Sequence, residues 1–96
     1  MRPSEVLPQH RETIRQLVFE AGMANPRVFG AVLHGDDLDG SDLDLLVDPA
    51  PRASLLAMER LQAQLSRVTG VKIDLRTAEE LHPSFRSKVL AEAASL

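Results

Sequence analysis

The chain has 96 residues, 14 acidic against 11 basic, a net charge of -3 and 44% apolar content, the composition of one small globular domain with no room for a second. It has no cysteine and only three scattered histidines, which excludes a disulfide framework and the usual zinc spacings, while mild acidity and three Phe as the only aromatics argue against direct nucleic-acid binding. No apolar run nears the ~20 residues of a membrane span and Met1-Arg2-Pro3-Ser4-Glu5 has no signal-peptide core, so a cytoplasmic protein without membrane contact is expected.

From Ser4 to Ala21, Leu7, Ile14, Leu17, Val18 and Ala21 fall near helical spacing with Arg11, Glu12, Arg15 and Gln16 opposite, which predicts an amphipathic helix stopped by Gly22 and Asn25-Pro26. Arg27–Leu33 reads as a buried strand in which Gly30 marks a close backbone approach. His34–Ser41 is polar and punctuated by glycine, a loop, and Asp42–Val47 resumes as the second strand of a hairpin. Asp48, before Pro49, is expected to cap the helix that follows, in which Leu55, Met58, Leu61, Leu65 and Val68 form a core stripe ended by Gly70. Val71–Arg76 alternates as a third strand, with Val71, Ile73 and Leu75 facing one way and Lys72, Asp74 and Arg76 the other. Thr77-Ala78-Glu79-Glu80 has capping-box spacing, and Phe85, Val89 and Leu90 suggest a last short helix after Pro83. The order α-β-β-α-β-α predicts an α/β (α+β) fold, a small mixed β-sheet with helices packed on it.

Period-two alternation puts Asp42 and Asp44 on one strand face with Cα atoms roughly 6.6–6.8 Å apart, while Leu43, Leu45 and Val47 point to the core. Neighbouring carboxylates repel unless they share a proton or a cation. Asp74 adds a third carboxylate if its strand lies beside the second, and such a group suits Mg²⁺, which keeps several waters and bridges to phosphate oxygens. Gly30 and Gly35 let backbone N–H groups approach a phosphate. Gly30-x4-Gly35 copies P-loop glycine spacing, but Asp36 and Asp37 stand where Lys and Ser/Thr are required. An EF-hand loop with Gly40 at its sixth position would place Gly35 first and Leu46 twelfth, which fails at both ends.

The segment Gly30-Ala31-Val32-Leu33-His34-Gly35-Asp36-Asp37-Leu38-Asp39-Gly40-Ser41-Asp42-Leu43-Asp44 resembles the Gly-Ser, ten residues, Asp-x-Asp signature of the polymerase-β-like nucleotidyltransferases in their minimal form. Element order, chain length and the Asp of Val71-Lys72-Ile73-Asp74-Leu75 extend the resemblance over nearly the whole chain. It implies a polymerase-β-like nucleotidyltransferase fold with residues 1–96 as a single domain. It implies that the turn at Gly30 and Ala31 holds a nucleoside triphosphate, ATP as donor. Asp42 and Asp44 would bind two Mg²⁺, and Asp74 would be a metal ligand or the base that activates an acceptor hydroxyl. Ser41 reaches either the loop backbone or a phosphate. The signature departs at Ala31, where Ser is usual; a lost charge-assisted hydrogen bond to phosphate is worth roughly 1.5–3 kcal/mol, about ten- to a hundredfold in binding or turnover. His34, where relatives often carry Arg, lowers the positive charge further.

Minimal members of this family resemble antitoxins that act on a HEPN-type RNase toxin, some by transferring AMP to a tyrosine of that partner. Three functions follow: an Mg²⁺-dependent adenylyltransferase antitoxin; a catalytically degenerate antitoxin acting by complex formation; and a transferase for a small molecule or RNA. The other polar residues read as structural: Asp36, Asp37 and Asp39 as solvated loop, His10 and His82 as surface. Arg27, Lys72 and Arg76 either face a triphosphate or solubilise strand ends.

Overall fold

The computed structural model describes residues 1–51 and 54–96. Helix α1 (Pro3–Glu20) starts on a proline, which suits the first helical turn, and buries Val6, Leu7, Ile14 and Val18. Gly22, at φ +79°, turns the chain so that buried Met23 leads into β1 (Ala24–Phe29). The expected strand over Arg27–Leu33 is corrected here. Gly30 adopts φ +73°, a left-handed conformation that ends extended pairing, and Gly30–His34 forms a short helix, α2, closed by Gly35. The two strands of the hairpin are therefore joined through α2 as well as the loop.

Strand β2 (Leu43–Asp48) pairs antiparallel with β1, with Phe29 opposite Asp44 and Arg27 opposite Leu46. Helix α3 (Leu55–Thr69) is capped by Ser54, whose Oγ accepts from the Ala57 N–H at 3.1 Å, and ends on Gly70. Asp48 does not cap it: its carboxylate accepts from the Arg27 guanidinium at 2.7 Å and the Asn25 amide at 3.3 Å. The stripe Met58, Leu61 and Leu65 is buried as expected, but Leu55 and Val68 at the two ends of α3 are exposed. Strand β3 (Ile73–Arg76) lies parallel to β2. A single 3-10 turn (Ala78–Glu80) carries the expected capping box, with Glu80 accepting from the Thr77 N–H, and α4 (Pro83–Glu92) follows. The two-residue β4 (Ala94–Ser95), too short for any periodicity to announce, pairs antiparallel with β1. The sheet order is β3-β2-β1-β4.

This topology gives the sheet two unlike faces. Val28, Leu43, Leu45, Val47, Ile73 and Leu75 join residues of α1 and α3 in one core cluster. Phe29, Asp44, Leu46, Asp74 and Arg76 alternate to the opposite face, which the chain crosses again on its way from β3 to β4.

Candidate functional site

Three strand ends place the site. In the β1–β2 ladder Phe29 lies opposite Asp44, and in the parallel β2–β3 ladder Asp44 lies opposite Asp74, so these three residues form one row across the sheet. Leu43 and Leu45, fully buried, fix which way Asp44 points, because a one-residue slip would exchange the faces. Gly30 makes room beside it. A Cβ there would lie 3.0 Å from Asp44 Cγ and closer still to its Oδ2, so the bare backbone is what lets the β1–α2 turn sit against this carboxylate.

Asp44 is half-buried, and its pKa is pushed up to about 6, by burial first and then by the negative charges of Asp74 and Asp42. The basic residues of the neighbourhood divide themselves among the carboxylates. Arg76 Nε donates to Asp74 Oδ1 at 2.8 Å, and Lys72 Nζ stands 3.8 Å from Asp42 Oδ2. Arg27 is taken by Asp48, and His34 Nε2 lies 3.1 Å from Glu92 Oε2, tying α2 to the end of α4. Ala31 occupies the first turn of α2 directly after Gly30. Ser41 is turned into its own loop, its Oγ accepting from the Leu38 N–H at 2.8 Å.

Asp37 is corrected from a solvated residue to a buried one, 2% exposed. Its Oδ2 accepts from the Ser4 N–H at 2.8 Å, which holds its carboxyl below the usual range despite burial. It serves as a cap for α1 supplied from a distant loop. Asp36 and Asp39 are exposed as expected.

The donors in the row are carboxylate oxygens, the ligand type of hard divalent cations. Among the described residues no three His, Asp or Glu side chains are already gathered as a metal cage. Carboxylate oxygens fit Mg²⁺, which is usually held by one or two carboxylates together with substrate phosphates rather than by a closed protein site. The cost of keeping Asp44 ionised, half-buried and beside Asp74 and Asp42, is the feature that such a cation relieves. A hollow of about 460 Å³ between the end of α1 and the start of β1, lined by Glu12, Arg15, Phe19 and Asn25, contains none of these carboxylates.

Sequence reading missed the surroundings of the row. Phe29 could have been found from its parity with Asp44 across the hairpin; Leu81, His82 and Phe85 reach the site only because the chain recrosses the sheet.

Residues 8–96 match the family model for a nucleotidyltransferase domain. The chain is 28% identical over 86 residues to MJ0435 of Methanocaldococcus jannaschii, named as a candidate protein adenylyltransferase, covering 90% of this chain and 92% of that one. It is 30% identical over 87 residues to the protein adenylyltransferase MntA of Thermococcus cleftensis, covering 91% and 85% respectively. Among solved structures, a candidate minimal nucleotidyltransferase superposes with a TM-score of 0.86 at 38% identity, covering 97% of this chain and 95% of that one. A toxin-antitoxin crystal structure with AMP-PNP shares the fold, with a TM-score of 0.74 at 18% identity over 88% of this chain and 69% of that one.

Proposed function

The chain belongs to the nucleotidyltransferase domain family, in its minimal form, and from that premise we propose that it is a cytoplasmic antitoxin of one domain that transfers AMP from ATP to a tyrosine of a HEPN-type RNase toxin. The observation that carries this reading is the register placing Asp44 opposite Asp74 with Gly30 packed beside them. Relatives of matching length named protein adenylyltransferases support a protein acceptor.

In this reaction an acceptor oxygen forms a bond to the α-phosphorus of ATP, the bond from that phosphorus to the β-phosphate oxygen breaks, and pyrophosphate leaves. Asp42 and Asp44 would hold Mg²⁺, which when bound neutralises phosphate charge. Asp74 takes the proton of the acceptor hydroxyl, directly or through water. Gly30 and Ala31 bring the backbone to the phosphates, and Ser41 keeps the intervening loop closed. Arg76 holds one oxygen of Asp74 and so orients its carboxylate.

A second reading has its own observation. Ala31 removes the hydroxyl usual in the signature, and Arg76 and Lys72 already balance two of the three carboxylates, so the same fold could neutralise its toxin by complex formation alone. The two readings part in one experiment, toxin RNase activity measured with ATP and Mg²⁺ in the presence of wild type, Asp42→Ala or Asp44→Ala. Transfer requires that neutralisation disappear in both variants; its survival in both assigns the protein to the binding class. If transfer holds, Ala31→Ser lowers the KM for ATP about tenfold, by restoring a charge-assisted hydrogen bond.

A further inference from the structure

The carboxylate row borders a slot of about 240 Å³ between the site face of the sheet and the segment that recrosses it. Phe29, Asp74 and Arg76 line its sheet side; Leu81, His82 and Phe85 line the other. The chain has three Phe and no Tyr or Trp, yet two of the three wall this one slot. Phe85 is 47% exposed and stacks on His82 with ring centroids 5.8 Å apart and planes at 24°. No residue of α4 is buried, so the packing of the chain itself does not call for an aromatic ring there.

We propose that this slot is the acceptor subsite, and that it selects its acceptor by receiving an aromatic side chain of the partner protein between Phe29 and the His82–Phe85 pair. The inference rests on the nucleotidyl-transfer reading and names the residues that choose its acceptor. Flat apolar walls favour a ring by offset or edge-on stacking. The lining also carries Glu80, and the net negative charge of Asp74 and Glu80 against Arg76 disfavours the triphosphate. A nucleobase is separated from its phosphates by the ribose, whereas Asp74 is itself part of the wall, so an occupant of the slot meets that carboxylate directly. A phenol in this position directs its hydroxyl at Asp74: its oxygen bonds to the α-phosphorus, its proton passes to the carboxylate and pyrophosphate departs.

The test is steady-state AMP transfer to the full-length HEPN-type toxin with ATP and Mg²⁺, comparing wild type, Phe85→Ala and Phe85→Trp, each checked for folding by circular dichroism. Loss of one stacking partner raises the KM for toxin about three- to tenfold in Phe85→Ala, leaves the KM for ATP unchanged, and is reversed in Phe85→Trp. A rise in the KM for ATP instead would place the nucleobase in the slot and overturn the proposal, as would no change in either constant. If wild type transfers no AMP, the transfer reading has failed, and the slot is judged by calorimetric toxin affinity. The same three- to tenfold weakening in Phe85→Ala upholds it as the partner's aromatic slot, and an unchanged Kd removes it.

Discussion

Gly30 and Asp44 are a single device made of two residues. A side chain at position 30 meets the Asp44 carboxylate and must also adopt φ +73°, so Gly30→Ala combines a left-handed strain of roughly 1–2 kcal/mol with displacement of the carboxylate. We expect it to lower Tm by several degrees and to reduce AMP transfer at least tenfold; thermal melts and a transfer assay measure both. Asp44 itself is held at a cost. Its folded pKa of about 6 lies above its ordinary value of 3.8, so the fold is relieved of this charge below about pH 4 and carries the full cost above about pH 6. Allowing for solvent screening of a half-buried group, that cost is about 1 kcal/mol at pH 7.5. Asp44→Asn should therefore raise Tm by a few degrees at pH 7.5, show no gain at pH 4, and abolish transfer. An equal Tm difference at both pH values would mean that the ionisation of Asp44 is not the cause.

At the scale of elements, the site loop is tied to the start of α1 through Asp37, which caps that helix from 33 residues away in sequence. Its lowered pKa means that the tie is present above about pH 4 and is lost as pH falls through the folded value. Asp37→Ala is expected to lower Tm at pH 7, and the deficit should shrink in acid; a pH-independent deficit would show that burial, and not the hydrogen bond, is what matters. The outer edge of β3 is closed in a related way: the Ile73 and Leu75 N–H groups donate to Ser66 Oγ at 3.1 Å and Gln62 Oε1 at 2.9 Å. Side chains of α3 thus occupy the donors of an edge that another strand could otherwise join. These ties also mark where sequence reading stops. Asp42 and Asp44 are legible because two-residue alternation is local, and α3 because its stripe repeats within one segment. Gly30 is legible as a close approach, though not as the residue that converts Ala31–Leu33 from strand into helix, since propensity there favours extension. The place of Asp74 depends on whether β3 neighbours β2, and that parallel pairing carries no local signal. Asp37 reads as one of several polar loop residues until its distant N–H partner is known, and the aromatic slot is assembled from segments over 50 residues apart in sequence.

Across the whole molecule, the sheet divides stability from chemistry. One face is committed to the core with α1 and α3. The other carries the carboxylate row, and α4 buries none of its own residues, so that side can change without disturbing the core. The acidic row also predicts a whole-molecule response to cation: Mg²⁺ in the presence of a non-hydrolysable ATP analogue should raise the Tm of wild type more than that of Asp42→Ala, by preferential binding to the folded state. The central claim, that this face transfers AMP to a protein, is tested most directly by the intact mass of the HEPN-type toxin after incubation with this protein, ATP and Mg²⁺, with Asp42→Ala in parallel. The account predicts mass increases in AMP-sized steps with wild type alone. An unmodified toxin that still forms a complex with wild type would contradict it.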